Sequence, residues 1–272
     1  MKRKLPLVVL LTVLLLAALA IGQGRRGWRR EIRPDMVDRG GVPEWKNDEQ
    51  FKNDVFTFVR VKYSSWGGWR GGKWATDYPD SDLNFSFRLH ELTSLEVDPN
   101  GKILELTDDA LFDYPFIYLI EPGEMYLNEE EVAALRKYLL SGGFLMVDDF
   151  WGEDEWNNFY ENIKRVFPDR EPQELPLSHP IFHCVYDLKE KPQVPSINAW
   201  WNGMRTERWD AQEPHYRAIF DDKGRMMAII CHNTDLGDGW EREAVDSGYF
   251  KEISEKWSYP MGINIVTYAM TH

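Results

Sequence analysis

Two adjacent carboxylates follow an apolar run in FLMVDDFWG, residues 144–152. The run predicts a buried strand, so Asp148 and Asp149 would stand at its carboxyl end, where open α/β sheets bind ligands. Carboxylates there can ligate a metal, accept hydrogen bonds from sugar hydroxyls, or act as general acid and base. Alternatively, one caps the following helix and the other faces solvent. Trp151 belongs to the same candidate site.

A second group of carboxylates lies in TDYPDSD, residues 76–82. Its three aspartates suggest calcium ligands, but their spacing matches no defined calcium loop. A Tyr-Pro pair followed by Asp and Ser is typical of a turn and a helix N-cap, which favours local structure over a metal. The candidate ligand-binding residues here are Asp77, Tyr78 and Asp82.

The segment NTDLGDGWE, residues 233–241, begins like an EF-hand loop. The required glycine comes one place late, at Gly239, and Ala244 stands where the bidentate glutamate belongs, so an EF-hand is excluded. A polar loop at a binding site remains a candidate interpretation. Its members are Asn233, Asp235, Asp238, Trp240 and Glu241. None of these spacings predicts a metal site or a cofactor site.

Three histidines are candidates for a zinc site or a ligand-binding pocket. His179 and His183 are four residues apart in SHPIFH, but Pro180 argues against a continuous helix that presents both to one zinc ion. A structural role is the default for each, although His179 stays among the candidate ligand-binding residues. His232 ends a predicted strand beside Asn233 and could join the same pocket.

The segment YSSWGGWRGGKWATDYPDSD, residues 63–82, has no helical or strand period, yet it contains three tryptophans. Long irregular loops are usually functional or disordered, and disordered segments are typically poor in aromatics. We therefore predict that Trp66, Trp69 and Trp74 form one wall of a cleft whose floor is Asp148 and Asp149. The alternative is that the tryptophans close over the core.

Apolar runs and helical periods alternate along the chain and would position these residues. The predicted parallel strands, adjacent in one sheet, are 55–62, 116–120 and 144–148. The predicted helices are 81–95, 128–143 and 154–167, although the first also fits a strand. Residues 216–232 predict a hairpin that turns at 222–224. This pattern predicts an α/β fold with a doubly wound, mostly parallel sheet and helices on both faces.

The chain has 272 residues, of which 45 are acidic and 32 basic. A nucleic-acid backbone would be repelled by most of this surface, which excludes nucleic acid as a partner. The length fits one sizeable α/β domain or two small ones, and we expect a single domain at 54–272. Cys184 and Cys231 lie in apolar contexts, which favours free thiols over a disulfide.

Residues 1–20 have the features of a signal peptide: a basic MKRK start, an apolar run and a small-x-small site at ALA. As a helix, the apolar residues 5–21 would reach about 25 Å, short of a hydrocarbon core of roughly 30 Å. A cleaved signal is therefore favoured over a retained membrane anchor. The protein would then be periplasmic or secreted, and the polar, glycine-rich residues 21–53 would form a flexible linker.

The chain contains the segments TDYPDSDLNF, YPFIYLIEPGEMYLNEEEVAALRKYLLSGGFLMVDDFWG, LPLSHPIFHCVY and NTDLGDGWE. Together these resemble the bacterial domain-of-unknown-function family numbered 4159, over about residues 54–271. The resemblance implies a flavodoxin-like α/β core similar to that of the class I glutamine amidotransferases. It implies no established activity.

An amidotransferase needs a thiolate on the sharp turn after a central strand. Here that turn carries Asp148 and Asp149, and neither cysteine is near, so amidotransferase chemistry is excluded. We therefore expect a non-catalytic module of the cell envelope that binds a protein or a carbohydrate. The alternative is a carboxylate- or metal-dependent hydrolase acting on envelope carbohydrate. No catalytic residue is assigned.

Overall fold

A computed structural model describes residues 37–51, 54–66 and 72–272. The predicted signal peptide, the first part of the predicted linker and Trp69 lie outside the described residues. Contacts divide the chain into Met1–Ile32 and Arg33–His272, and every described residue belongs to the second unit. Within the described ranges, no helix is both long and apolar enough to cross a membrane.

The described strands pair mainly into one sheet. They are β1 (Val59–Lys62), β2 (Ser64–Ser65), β3 (Lys102–Glu105), β4 (Phe116–Ile120), β5 (Met125–Tyr126), β6 (Phe144–Asp148), β7 (Gln173–Glu174), β8 (His215–Phe220) and β9 (Met226–His232). Seven of these lie in the order β3-β1-β4-β6-β9-β8-β7, and β2 pairs with β5. The first five strands of that order run parallel, and β8 runs antiparallel to both of its neighbours, β9 and β7. The α/β class and the adjacency of β1, β4 and β6 are therefore confirmed.

The two central strands explain why the sheet could be predicted. Every residue of β4 and of β6 is buried, as expected for a parallel strand covered on both faces. Their register places Ile120 opposite Asp148, so both strands end at the same level. The first strand is shorter than predicted. Phe56 makes only an isolated bridge to Val97, and regular pairing begins at Val59.

The helices are α1 (Asp80–Leu92), α2 (Glu129–Leu140), α3 (Gly152–Val166), α4 (Ile197–Trp201), α5 (Leu236–Glu241), α6 (Ser247–Tyr249) and α7 (Tyr259–Thr271). A π-helical stretch, Phe250–Ser258, joins α6 to α7. The predicted capping box of α2 is confirmed, because the Asn128 side chain accepts from the Glu131 amide and Glu131 accepts from the Asn128 amide.

Both faces of the sheet carry helices. On one face α1, α5 and α7 contact one another around Trp240, whose ring lies 4.2 Å from that of Phe85 and 5.9 Å from that of Tyr118. On the other face α2 and α3 pack against each other. Their buried apolar residues are not members of the apolar cluster that contains Trp240. The predicted hairpin is also confirmed as β8 and β9, and both cysteines are free thiols.

Part of the predicted flexible linker packs against the domain. The Trp45 indole nitrogen donates to the Val97 carbonyl at 2.7 Å, and its ring stacks on His90. The Arg39 guanidinium donates to the carbonyl of Pro99 at 3.0 Å. Two residues of the predicted linker, Arg39 and Trp45, therefore make specific hydrogen bonds to residues of the predicted domain.

One fully buried cation fixes the segment before α1. The Arg60 guanidinium, on β1, forms an ion pair with Asp82 on α1 and donates to the carbonyls of Trp74 and Thr76 at 3.0 and 2.9 Å. The helix N-cap that TDYPDSD suggests is not formed by a side chain, because the cap position is Pro79. The helix begins at Asp80 after Pro79, and Asp82 instead neutralises Arg60 across the core.

We predict that Asp82→Ala lowers the free energy of unfolding by about 3–5 kcal/mol, because it leaves the Arg60 charge buried without its counter-ion. Chemical denaturation of the purified chain measures this. The matched control is Glu105→Ala, which breaks an exposed ion pair with Lys62. Lys62 lies on β1, as Arg60 does, and the loss should be at most about 1 kcal/mol. Equal, small losses in both variants would contradict the role given to Arg60.

Candidate functional site

Backbone strain in the described residues is concentrated at the carboxyl edge of the sheet. The non-glycine residues with positive φ are Asp77, Glu121, Asp149 and Asn233, at 61°, 49°, 55° and 61°. The last three directly follow β4, β6 and β9, and Asp77 lies between β2 and α1. Left-handed backbone is unfavourable for such residues and clusters at functional sites. This edge is therefore the candidate site.

Hydrogen bonds hold the Asp77 segment against the end of β4. The Thr76 hydroxyl donates to the Glu121 carboxylate at 3.0 Å, and Lys73 forms an ion pair with the same side chain. The Tyr63 hydroxyl lies within hydrogen-bond distance of the Ile120 and Glu121 carbonyls, at 2.8 and 2.7 Å. Together with Arg60, these contacts place Asp77 beside the turns that follow β6 and β9.

Six carboxylates lie together there, and we call them the acidic edge: Asp77, Asp148, Asp149, Asp235, Asp238 and Glu241. One oxygen each from Asp77, Asp149 and Asp235 lies within 4.8 Å of the others. Asp77 forms a second group of the same kind with Asp238 and Glu241. The convergence of Asp77 with the aspartates after β6 and β9 brings together residues from all three segments singled out in the sequence.

Asp148 is the most deeply buried member of the acidic edge, with no exposed surface. Its Oδ2 accepts from the Tyr118 hydroxyl at 3.1 Å and from the Gly237 amide at 3.0 Å, while Oδ1 has no hydrogen-bond partner. Burial raises the pKa of Asp148 to about 7, although these hydrogen bonds favour the charged form.

Asp149 and Asp235 have neutral hydrogen-bond donors. Asp149 Oδ1 accepts from the Trp151 indole nitrogen at 3.0 Å. Asp235 caps α5 by accepting from the Asp238 amide at 2.7 Å. Burial, and then repulsion from neighbouring carboxylates, raises the pKa of each well above its usual range. Burial and repulsion from Glu241 and Asp238 do the same to Asp77, whose Oδ2 is buried without a partner.

Asp238 and Glu241 have a basic neighbour. The Arg242 Nε lies 3.4 Å from Asp238 Oδ1 and 2.6 Å from Glu241 Oε2. Asp238 Oδ2 also accepts from the Ile197 amide at 2.7 Å and the Tyr249 hydroxyl at 3.0 Å. Burial raises the pKa of Glu241 to about 7, and Arg242 opposes that shift.

The predicted tryptophan wall does not form as expected. Trp74 is only 5 % exposed and is a core residue, whereas Trp66 is 71 % exposed, so the two do not share a surface. Trp66 still lies at the carboxyl edge, because its amide donates to the Glu124 carbonyl. Trp151 is buried, and Trp240 is fully buried in the core. Neither indole can stack on a ligand in this arrangement.

Other sequence-predicted residues position the site or lie away from it. Asp82 is buried against Arg60, and the Tyr78 ring lies 5.9 Å from the Arg60 guanidinium. The Asn233 side chain accepts from the Gly152 amide at 2.9 Å and so joins the turns after β6 and β9. His179 lies beside Tyr268, near the end of α7 and outside the acidic edge. Its ring accepts from the Ile181 amide, which is the structural role.

His232 lies next to the turns but is not free to bind. It is 2 % exposed, and its ring lies 4.7 Å from that of Phe150 and 5.2 Å from that of Trp156. Its Nε2 lies 3.1 Å from the Gly152 carbonyl oxygen. Burial lowers the pKa of His232 to about 3, so the ring is neutral near pH 7.

Sequence reasoning missed three residues at this edge. Glu121 is the first residue after FIYLI, a position that could have identified it. Glu207 accepts from the Ser196 amide at 2.8 Å and adds to the repulsion that raises the pKa of Asp149. Trp209 is 88 % exposed. Its two neighbours in the chain contact the start of α3: Arg208 forms an ion pair with Glu155, and Asp210 accepts from the Glu153 amide. An irregular segment gave no signal for the last two.

We predict that the free energy of unfolding of wild type falls by about 2 kcal/mol relative to that of His232→Gln between pH 6.5 and pH 4.5. The unfolded chain binds a proton at His232 in this range and the folded chain does not, so protonation favours unfolding as pH falls. Guanidinium unfolding of both proteins measures the difference. The comparison is needed because the acidic edge, with raised carboxyl pKa values, acts in the opposite sense. Parallel curves for the two proteins would contradict a neutral, buried imidazole.

Comparison with known proteins gives a family and no activity. No curated protein matches the chain. The family model described as a domain of unknown function, DUF4159, matches residues 57–270, which include every strand of the central sheet and every member of the acidic edge. The match covers most of the chain, and the chain therefore belongs to the DUF4159 family.

Proposed function

We propose that this chain is an exported cell-envelope protein that binds a carbohydrate at the acidic edge, on a scaffold like that of the class I glutamine amidotransferases. Numbered in chain order, the five parallel strands of the sheet lie as 2-1-3-4-5, which is the order of flavodoxin-like folds. Such folds bind ligands at the carboxyl ends of the strands, where the order reverses. The acidic edge lies at these ends.

The observation that carries the proposal is the left-handed backbone at Asp77, Glu121, Asp149 and Asn233. Each such residue costs of order 1–3 kcal/mol, and strain of this kind is retained where it serves binding or catalysis. Thiol catalysis has no support among the described residues. Cys231 is buried within β9, and Cys184 Sγ lies 3.2 Å from the Asn264 carbonyl oxygen, so neither stands on these turns.

The chemistry of the edge favours a hydroxyl-rich ligand. Ionised carboxylates accept hydrogen bonds from hydroxyl groups, and protonated ones can also donate. Trp66 and Trp209 expose most of their indole surface beside the loops that carry Glu121 and Asp149. Flat, exposed indoles provide an apolar face with a polar tip, which suits the stacking of sugar rings.

The second candidate is a carboxylate- or metal-dependent hydrolase acting on envelope carbohydrate. The observation that favours it is the position of Asp149. Asp149, whose backbone φ is 55°, lies on the turn after a central strand. The class I glutamine amidotransferases carry their nucleophile on such a turn.

We predict that soluble peptidoglycan fragments bind the chain and that Trp66→Ala weakens this binding about tenfold without changing the melting temperature, because a stacking face is lost. Asp149→Asn should also weaken binding. The matched control is Phe112→Ala, an exposed aromatic outside the acidic edge, which should bind as wild type does. Calorimetric titration measures the affinities.

Equal affinities for wild type and Trp66→Ala, or no heat on titration, would contradict the carbohydrate proposal. The same mixtures are assayed for new reducing ends. Their release by wild type and not by Asp149→Asn would favour the hydrolase over the binding module.

We predict that a bacterial host exports the chain and that the mature protein begins near Ile21, because the apolar run after MKRK ends in a small-x-small site. N-terminal sequencing of periplasmic material measures this. Leu10→Arg, which places a charge in the apolar run, should leave the precursor unprocessed. Recovery of an intact Met1 in the membrane fraction would instead favour an anchor at residues 5–21.

A further inference from the structure

Three of the acidic-edge carboxylates come from separate loops and meet at one point. Asp77 precedes α1, Asp149 follows β6, and Asp235 follows β9. One oxygen from each lies within 4.8 Å of the others. Like charges at this separation repel strongly in a buried setting, so the group requires protons or a cation to stay together.

These three carboxylates have no direct ion-pair partner among the described residues. None of them forms an ion pair with a described lysine, arginine or histidine. Asp149 and Asp235 each accept one hydrogen bond from a neutral donor, and Asp77 Oδ2 is buried without a partner. No described ion pair therefore balances the group, and only longer-range attraction to Arg60 and Arg242 acts on Asp77.

The second carboxylate group differs in this respect. Asp238 and Glu241 lie within 3.4 and 2.6 Å of the Arg242 Nε, which already provides a positive charge. A metal ion there would be repelled by the guanidinium group. The contrast points to the group of Asp77, Asp149 and Asp235, and to one site rather than two.

A separate observation concerns Asp148, which has no exposed surface and an unpartnered Oδ1. Its other oxygen accepts from Tyr118 and Gly237, and these same groups border Asp77. A methyl group at Gly237 would lie 2.8 Å from Asp77 Oδ2 and 2.9 Å from the Tyr118 hydroxyl. The Asp148 carboxylate, with one unpartnered oxygen, and the unpartnered Asp77 Oδ2 thus both lie against Gly237. A buried acceptor without a partner destabilises the folded chain, and a bound cation would satisfy it.

We propose that Asp77, Asp149 and Asp235 bind one hard divalent cation of the Ca²⁺, Mg²⁺ and Mn²⁺ class. The ligand set is all oxygen and all carboxylate, which suits these ions, whereas zinc sites usually include His or Cys. The sequence predicts no metal here, because the ligands are 72 and 86 residues apart along the chain and form no loop motif. The site does not depend on the carbohydrate proposal, since cation binding is measured without any sugar.

The test is calorimetric titration of the full chain, stripped with a chelator, with CaCl₂, MgCl₂ or MnCl₂ at pH 7.5 and no carbohydrate. We expect one ion per chain for at least one metal, and a loss of affinity of tenfold or more in Asp235→Asn and Asp149→Asn. Glu105→Gln removes the same charge from an exposed residue outside the acidic edge and should keep wild-type affinity. Melting curves confirm that each variant is folded.

Three results would overturn the proposal. One is the absence of binding by all three metals. Another is an equal loss in Glu105→Gln, which would indicate diffuse attraction to an acidic surface. The third is a loss in Glu241→Gln with none in Asp235→Asn, which would place the ion in the group beside Arg242.

Discussion

The candidate site depends on one buried charge. Arg60 has no exposed surface. Asp82 neutralises its charge, and carbonyls of the segment that precedes Asp77 accept its hydrogen bonds. A guanidinium group has several donors in a fixed plane, so it can tie a strand, a helix and an irregular segment together at once. Because the segment is held from within the core, Asp77 can keep a left-handed backbone beside two other strained turns. The contacts of Thr76 and Lys73 with Glu121 then hold the outer side of the same segment against the end of β4.

Some carboxylates at the carboxyl edge of the sheet have a basic partner and others have none. Arg242 balances Asp238 and Glu241, and Lys73 balances Glu121. Asp77, Asp149 and Asp235 have no such partner among the described residues. Buried groups of this kind are unstable unless protons, a cation or a ligand's donors compensate them. A bound sugar or a bound cation would provide this compensation. The carbohydrate and cation proposals therefore follow from the same cause, which is the lack of ion-pair partners for these three carboxylates.

The sequence predicted those parts of the fold that depend on local pattern. FIYLI and FLMVD were identified as adjacent buried strands by composition, and α2 by its period and its capping box. The role of Asp82 could not be predicted, because it depends on Arg60, 22 residues earlier, in the folded core. Trp74 is buried and Trp66 is exposed for a similar reason. Both lie in one irregular segment, and only the folded chain determines which indole enters the core. The convergence of three aspartates likewise follows from strand order rather than from spacing.

The most direct measurement is an anomalous difference map from crystals of the protein grown with Mn²⁺. The ion would be located without assuming any ligand, and the map would also place the loop that carries Asp77. The proposed cation site requires a single strong peak within about 2.6 Å of an oxygen from each of Asp77, Asp149 and Asp235. A map without a peak at the acidic edge, or with the three carboxylates turned away from one another, would contradict it.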